Sequence, residues 1–399
     1  MKRLFLFITL LLCFHVAVLA QKKAINQART FIKSGKNLDK AEKLMTDLLQ
    51  DSTYRYNEKV WLTLADVLKK QYEQGNEKLY LKQKYDTVSL FTTAKKMFYA
   101  LQVLDTIDAT PDKKGKVNIR YRDKNAEYLN TFRPNLYNAG SFFLRKNNYR
   151  KAYEYYDFYL DCARQPLFSK LNYQERDTMM PQAAFWAMYA GYRLRDAEKV
   201  LKYRQLAERD TARLDNVIQY LAETFIMQAD TAEYVEQLRR GFDHNPQHPF
   251  FFPHLIDYYN SVGWRDSANV IIDNALASDS INQLFLFAKS TALLNAGDYD
   301  QCLRYTQKLM EQNDSLPEAY CNMGLAYYNQ AINLEQTMAR SKKKRKAVNA
   351  LYEKSRPYME KYREMQPDQQ SKWLAPLYAI YLNLNMGKEF EEIDKLVTK

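Results

Sequence analysis

Apolar residues in the second half of the chain recur three and four positions apart, the spacing of one helical face, and the stretches that carry them return at a fixed distance. Gly263, in Asn260-Ser261-Val262-Gly263-Trp264, and Gly297, in Asn295-Ala296-Gly297-Asp298-Tyr299, stand 34 residues apart. Ala268 and Cys302 are separated by the same step, Tyr234 lies one step before Ala268, and Gly241, Ala275 and Leu309 form another series. The windows 215–248, 249–282, 283–316 and the stretch from 317 are therefore in register. In the last of these, Tyr320, Met323-Gly324 and Tyr327 put two large residues and a small one on one face. A second helix is predicted near Ser355, Met359 and Tyr362, ending at Pro367, as the window from Asp215 ends at Pro246. Each window predicts helix, turn, helix.

Window 133–166 carries Leu136, Ala139-Gly140 and Phe143, then Ala152, Tyr156 and Tyr159. This pattern resembles the tetratricopeptide repeat, which places small residues where two helices approach and large ones between successive hairpins. The resemblance implies an all-α fold, a right-handed α-solenoid of stacked helical hairpins, because one hairpin cannot bury its own apolar face. Residues 181–214 keep a helix pair with a shortened turn at Arg195-Asp196; 24–55 and 58–107 read as degenerate repeats, the latter on Trp61, Leu64-Ala65 and Leu68. Interruptions at about 72–88, 108–128, 167–180 and 329–349 are expected to project as loops or helix extensions and are candidates for partner-specific features. The chain divides into a leader at 1–20, degenerate N-terminal repeats at 21–128, the repeat array at 129–369 and capping helices at 370–399.

Composition agrees with a helical reading. Ten Gly and eleven Pro in 399 residues are fewer than tight-turned strand folds use, and a mean hydropathy of −0.58 leaves no later segment apolar enough to span a membrane. The N-terminus runs Lys2-Arg3, an apolar stretch from Leu4 to Leu19, then Ala20, the order of a cleavable export signal; an uncleaved anchor is the alternative. Cys13 follows Leu12 rather than a small residue, so lipid anchoring is not expected. Cys162, Cys302 and Cys321 remain after cleavage, too few for a disulfide framework, and Cys302 stands where a small buried residue is expected. Losing Lys2 and Arg3 lowers the net charge from +12 to +10, which favours acidic partners, anionic surfaces or glycans over nucleic acid in an exported chain.

Motif-borne chemistry is sparse. No Gly-rich phosphate loop, Gly-x-Ser-x-Gly elbow or His-Glu-x-x-His helix occurs, so neither catalysis nor a cofactor is expected. His244 and His248 have a zinc-like spacing, but Pro246 between them breaks the helix such a site needs, and His254 stands apart; no metal is expected. The densest charge run, Arg340, Lys342, Lys343, Lys344, Arg345 and Lys346, is read as an anionic-surface element in the insertion of the last clear repeat.

In the family that the repeats resemble, the first helix of each hairpin lines a groove for an extended peptide or a partner helix. Carried over by register, that face comprises Tyr137, Ser141 and Arg145, then Gln219, Glu223 and Met227, then Asp257 and Asn260. The next two windows add Phe287, Thr291 and Asn295, then Leu325, Tyr328 and Asn329. The Lys and Asn pattern by which some members clamp a C-terminal carboxylate is missing. The expected function is an exported scaffold in the cell envelope, periplasmic in a Gram-negative bacterium, that binds a protein or peptide partner. A glycan-binding module is the alternative, with an enzyme carrying an unrecognised site as the remotest reading.

Overall fold

A computed structural model describes residues 21–337 and 341–397. The leader read at 1–20, and Arg340 of the basic run, lie outside the described residues. Among the described residues there are α-helices, short 3-10 turns and no strand, and no helix is long and apolar enough to cross a membrane.

The chain forms two compact units, one ending at Asp230 and the other beginning at Thr231. The sequence register ran a single array across 129–369; the division falls inside its window 215–248. The first unit comprises α1 (21–34), α2 (Leu38–Gln50), α3 (Glu58–Tyr80), α4 (Thr87–Asp108), α5 (Arg122–Asn130) and α6 (Arg133–Arg145). It continues with α7 (Tyr149–Asp161), α8 (Tyr173–Arg176), α9 (Met180–Arg193), α10 (Ala197–Leu201), α11 (Arg204–Ala207) and α12 (Leu214–Met227). The second unit comprises α13 (Thr231–His244), α14 (Phe251–Ser261), α15 (Arg265–Ser278), α16 (Gln283–Ala296) and α17 (Tyr299–Gln312). It ends with α18 (Pro317–Thr337), α19 (Lys342–Met365), α20 (Gln370–Asn383) and α21 (Gly387–Val397).

Each helix buries one stripe. In α12 the buried positions are Val217, Ile218, Leu221, Ala222 and Phe225, a spacing of one to four that faces a single side, each large residue stabilising by about 1.5–3 kcal/mol. Some starts are set by side-chain caps: Asn282 accepts from the Leu284 and Phe285 amides at α16, and Asp298 from Gln301 at α17.

The period is written into the backbone as well as the side chains. Arg195, Ala229, Gly263 and Gly297, each 34 residues from the next, follow first helices and have φ of 55°, 59°, 76° and 81°. At all four the following amide reaches back five residues: Asp196 to Gly191, Asp230 to Phe225, Trp264 to Tyr259 and Asp298 to Leu293, at 2.8–3.0 Å. These are left-handed helix terminations, which glycine occupies without a Cβ penalty and other residues do not. Ala229→Gly is therefore expected to stabilise the chain by up to about 1 kcal/mol, and Gly263→Ala to destabilise it by a similar amount. Urea unfolding of both variants checks this; a destabilised Ala229→Gly would contradict it.

The interruptions are partly exposed, as at 80–84 and 110–120, and partly built into the packing. Within 108–128, Arg122 forms a bidentate pair with Asp105 at 2.8 and 2.9 Å, and Arg120 binds Asp108 through its amide and guanidinium. Both aspartates are buried in the last turn of α4, where the helix dipole disfavours a negative charge, so the two arginines supply the compensating charge. In 167–180, Phe168 and Tyr173 are buried, and the Phe168 ring lies against Phe98 of α4. In 329–349, α18 and α19 are simply longer than a standard pair, and Ala331 and Val348 join the C-terminal core with Tyr352, Trp373 and Leu377.

Candidate functional site

The second unit holds a cavity of about 490 Å³ between α14, α15 and α16. That is within the size range of ligand pockets. Its floor is apolar, with Ile256, Ile272, Leu284 and Phe287, and Phe287 is half-buried against the Leu286, Leu309 and Ala319 core. Its rim carries Asp257, Asn260, Arg265, Asp266, Asn269 and Asn295. Asp257, Asp266 and Arg265 form no ion pair, and the three asparagine side chains no hydrogen bond, among the described residues. A set of unspent donors and acceptors thus surrounds a hydrophobic floor. Thr291 also lines the cavity, but its hydroxyl accepts from Asn322 Nδ2 of α18 at 3.0 Å, an amide shared with the buried Ser290. Asp257, Asn260, Phe287, Thr291 and Asn295, five of the residues placed on the inner face by register, thus come together here.

The first unit treats its share of that face differently. Glu223 accepts from Gln219 Nε2 at 2.8 Å and from the Tyr192 hydroxyl, so its carboxylate is already engaged. Ser141 is bonded to the buried Tyr156 hydroxyl at 2.8 Å, and Tyr137 packs edge-on against Tyr156 and Tyr159. Arg145 and Met227 are exposed. Sequence reasoning missed the aromatic wall beside them: Tyr220 stacks with Phe185 and Tyr192 and lies 5.7 Å from Tyr189. One step of 34 back from Gln219 and Glu223 reaches Phe185 and Tyr189, so the register contained the signal.

At the C-terminal end, Leu325 and Tyr328 are half-buried and packed against the last core, with the Tyr328 ring 6.1 Å from Tyr352; Asn329 is half-buried beside them. They do not join the cavity. The reason is the early start of α19, at Lys342 rather than near Ser355, which lays Val348 and Tyr352 across that face.

Lys342 to Lys346 of the basic run form the first turn of α19 behind its N-cap Ser341. Lys342, Lys343, Arg345 and Lys346 are exposed, but Lys344 is only 8% exposed and its Nζ donates to the Glu335 carbonyl at 2.6 Å. Lys344 is thus a structural tie between α18 and α19, a correction to its reading as part of a solvated patch. Four exposed cations at a helix N-terminus also oppose the helix dipole, so fold stability does not account for them.

Among the described residues, the thiols are buried and two histidines pack against rings. Cys162, Cys302 and Cys321 are free and buried, and burial pushes their thiols up to about 12, 11 and 11, which keeps them protonated. The His254 ring packs on Phe250 at 4.1 Å, and His248 on Phe251 at 4.6 Å. Among the described residues no group of three or more His, Cys, Asp or Glu is placed to hold a metal ion.

No family model matches the sequence, and no curated protein is similar to it. Solved structures similar to it include TPR repeat proteins. The C-terminal part of a TPR repeat-containing protein from Cytophaga hutchinsonii is 14% identical, covering 65% of this chain and 93% of that one, with a TM-score of 0.43. A TPR repeats protein from Bacteroides fragilis is 14% identical over 66% of this chain and 98% of that one, with a TM-score of 0.28. Yeast Tom70 is 11% identical over 94% of each chain, with a TM-score of 0.27. In this chain the shared step of small residues, aromatics and left-handed turns gives hairpins of tetratricopeptide type.

Proposed function

We propose that the protein is a non-enzymatic scaffold that binds an extended peptide segment of a protein partner in the cavity between α14, α15 and α16. One observation carries this reading: Asn260, Asn269 and Asn295 keep their amides free around an apolar floor, beside unpaired Asp257 and Asp266. Primary amides donate to and accept from a peptide backbone, while Ile256, Leu284 and Phe287 accommodate an apolar side chain. We further propose that it works outside the cytoplasm, in the cell envelope, on the strength of the Lys2-Arg3, apolar and Ala20 leader. The exposed cations of the basic run would then favour an acidic partner or an anionic surface.

Peptide display against residues 21–399 tests the binding reading. Selected peptides are expected to bind Asn260→Ala/Asn295→Ala at least tenfold more weakly, with each hydrogen bond contributing about 0.5–1.5 kcal/mol. Unchanged binding to that variant would move the site elsewhere, and selective retention on a glycan array without peptide binding would favour the carbohydrate alternative. N-terminal sequencing of protein from the envelope fraction should begin at Gln21.

A further inference from the structure

The second helix of window 181–214 is broken. Elsewhere the second helices run unbroken, as α7 and α13 do over 13 and 14 residues, but here α10 has five residues and α11 four. No Pro or Gly lies between Ala197 and Asp210, so sequence propensity does not cause the break. Tertiary structure does. Tyr203, at the break, is buried and donates its hydroxyl to Asp157 Oδ1 of α7 at 2.8 Å, and Lys202 Nζ meets the same oxygen at 2.6 Å. Burial and that carboxylate raise the Tyr203 pKa, which keeps the phenol a donor.

Beside the break lies a cavity of about 660 Å³ whose lining includes Arg164, Lys202, Arg204 and Arg209 and no carboxylate. Lys202 is engaged by Asp157 and Arg204 by Glu208. Arg164 and Arg209 are exposed and pair with no carboxylate among the described residues; Arg164 lies 5.8 Å from the Tyr203 ring centroid. Beneath the cations the lining is aliphatic, with Leu160, Met180, Leu201 and Leu206.

We infer that this cavity is a second docking site, on the first unit, for an acidic peptide segment whose side-chain carboxylates meet Arg164 and Arg209 while an apolar neighbour covers the aliphatic floor. Two guanidinium forks match carboxylates bidentately. A small inorganic anion would engage the cations but leave most of 660 Å³ and the apolar floor unfilled. The site is independent of the cavity proposed for the second unit, so either can fail without the other.

Residues 21–399 are titrated by fluorescence anisotropy with labelled Gly-Glu-Leu-Glu-Leu-Glu-Gly, blocked at both ends, and with its Gln counterpart. The Glu peptide is expected to bind at least tenfold tighter than the Gln peptide. Arg164→Gln/Arg209→Gln should abolish that preference, Arg209→Gln alone should reduce it several-fold, and Lys342→Gln/Lys343→Gln should leave it intact. All four substituted side chains are exposed, so the melting transition is expected to stay in place. The inference is overturned if the wild type shows no preference, if the preference survives Arg164→Gln/Arg209→Gln, or if it disappears in Lys342→Gln/Lys343→Gln. It is also overturned if inorganic phosphate displaces the peptide better than chloride at equal ionic strength, which would make the cavity a phosphate site.

Discussion

Replacing Arg133 by Leu is expected to lower the unfolding free energy by about 4 kcal/mol, the range for breaking one side of a buried ion pair. Arg133 is 4% exposed, and its guanidinium lies between the Tyr159 and Tyr173 rings, 3.8 Å from each centroid. Nη1 donates to Asp177 Oδ2 at 2.5 Å and Nη2 to the Tyr159 carbonyl at 3.2 Å. The Tyr159 hydroxyl donates to the same Asp177 oxygen at 2.6 Å. Three costs therefore coincide in the variant. Asp177 loses its counter-charge, two rings lose a cation worth about 2 kcal/mol when desolvated, and the segment 167–180 loses its tie to α6. Arg133→Lys should recover little, because an ammonium cannot fill a planar slot between two rings and also reach both oxygens. Arg176→Leu, an exposed neighbour lining the same cavity, should stay within about 0.5 kcal/mol of wild type. Urea unfolding measures all three. A loss below about 1 kcal/mol for Arg133→Leu would mean that ring packing alone holds the segment.

The hairpins were legible because each one repeats the same physical solution at the same spacing: a small residue at the helix crossing, aromatics between pairs and a turn residue at positive φ. Such features recur at 34 residues and need no knowledge of distant contacts. The tertiary ties within the interruptions were hidden for the opposite reason. Asp105 with Arg122, Asp108 with Arg120 and Arg133 with Asp177 join residues from 12 to 44 positions apart, and nothing in the local pattern marks them as partners. The break at Tyr203 was equally hidden, since 197–209 reads as one helix and the bond from Tyr203 to Asp157 of α7 spans 46 positions. On the face assigned by register, the sequence could not tell which polar groups had already found each other. Glu223 and Ser141 are satisfied within the first unit, whereas Asn260 and Asn295 are not satisfied in the second. The difference between packed and available is a tertiary property.

The matching series Gly241, Ala275 and Leu309 supports a sharper expectation about stability. Ten residues after each stands Phe251, Phe285 or Ala319, again in steps of 34, so the smallest member of the first series precedes a Phe and the largest precedes an Ala. The volumes run in opposition along the array. At Gly241 a Cβ would sit 2.3–2.5 Å from three atoms of the Phe251 ring, which is fully buried and cannot swing aside. Leu309 and Ala319, by contrast, share one core cluster. Gly241→Ala is expected to destabilise the chain by about 2–3 kcal/mol despite adding about 1 kcal/mol of helix propensity, because overpacking a closed site forces the ring off its rotamer. Gly241→Leu should cost more, and Phe251→Ala alone about 3–5 kcal/mol through the cavity it leaves. The double variant Gly241→Leu/Phe251→Ala recreates the Leu309 and Ala319 pairing and should therefore be less destabilised than the sum of its parts by about 2 kcal/mol or more. Guanidinium unfolding of the two single variants and the double variant measures that coupling. Additive costs would show that the reciprocal sizes along the register are incidental and that each helix pair is packed by contacts outside this series.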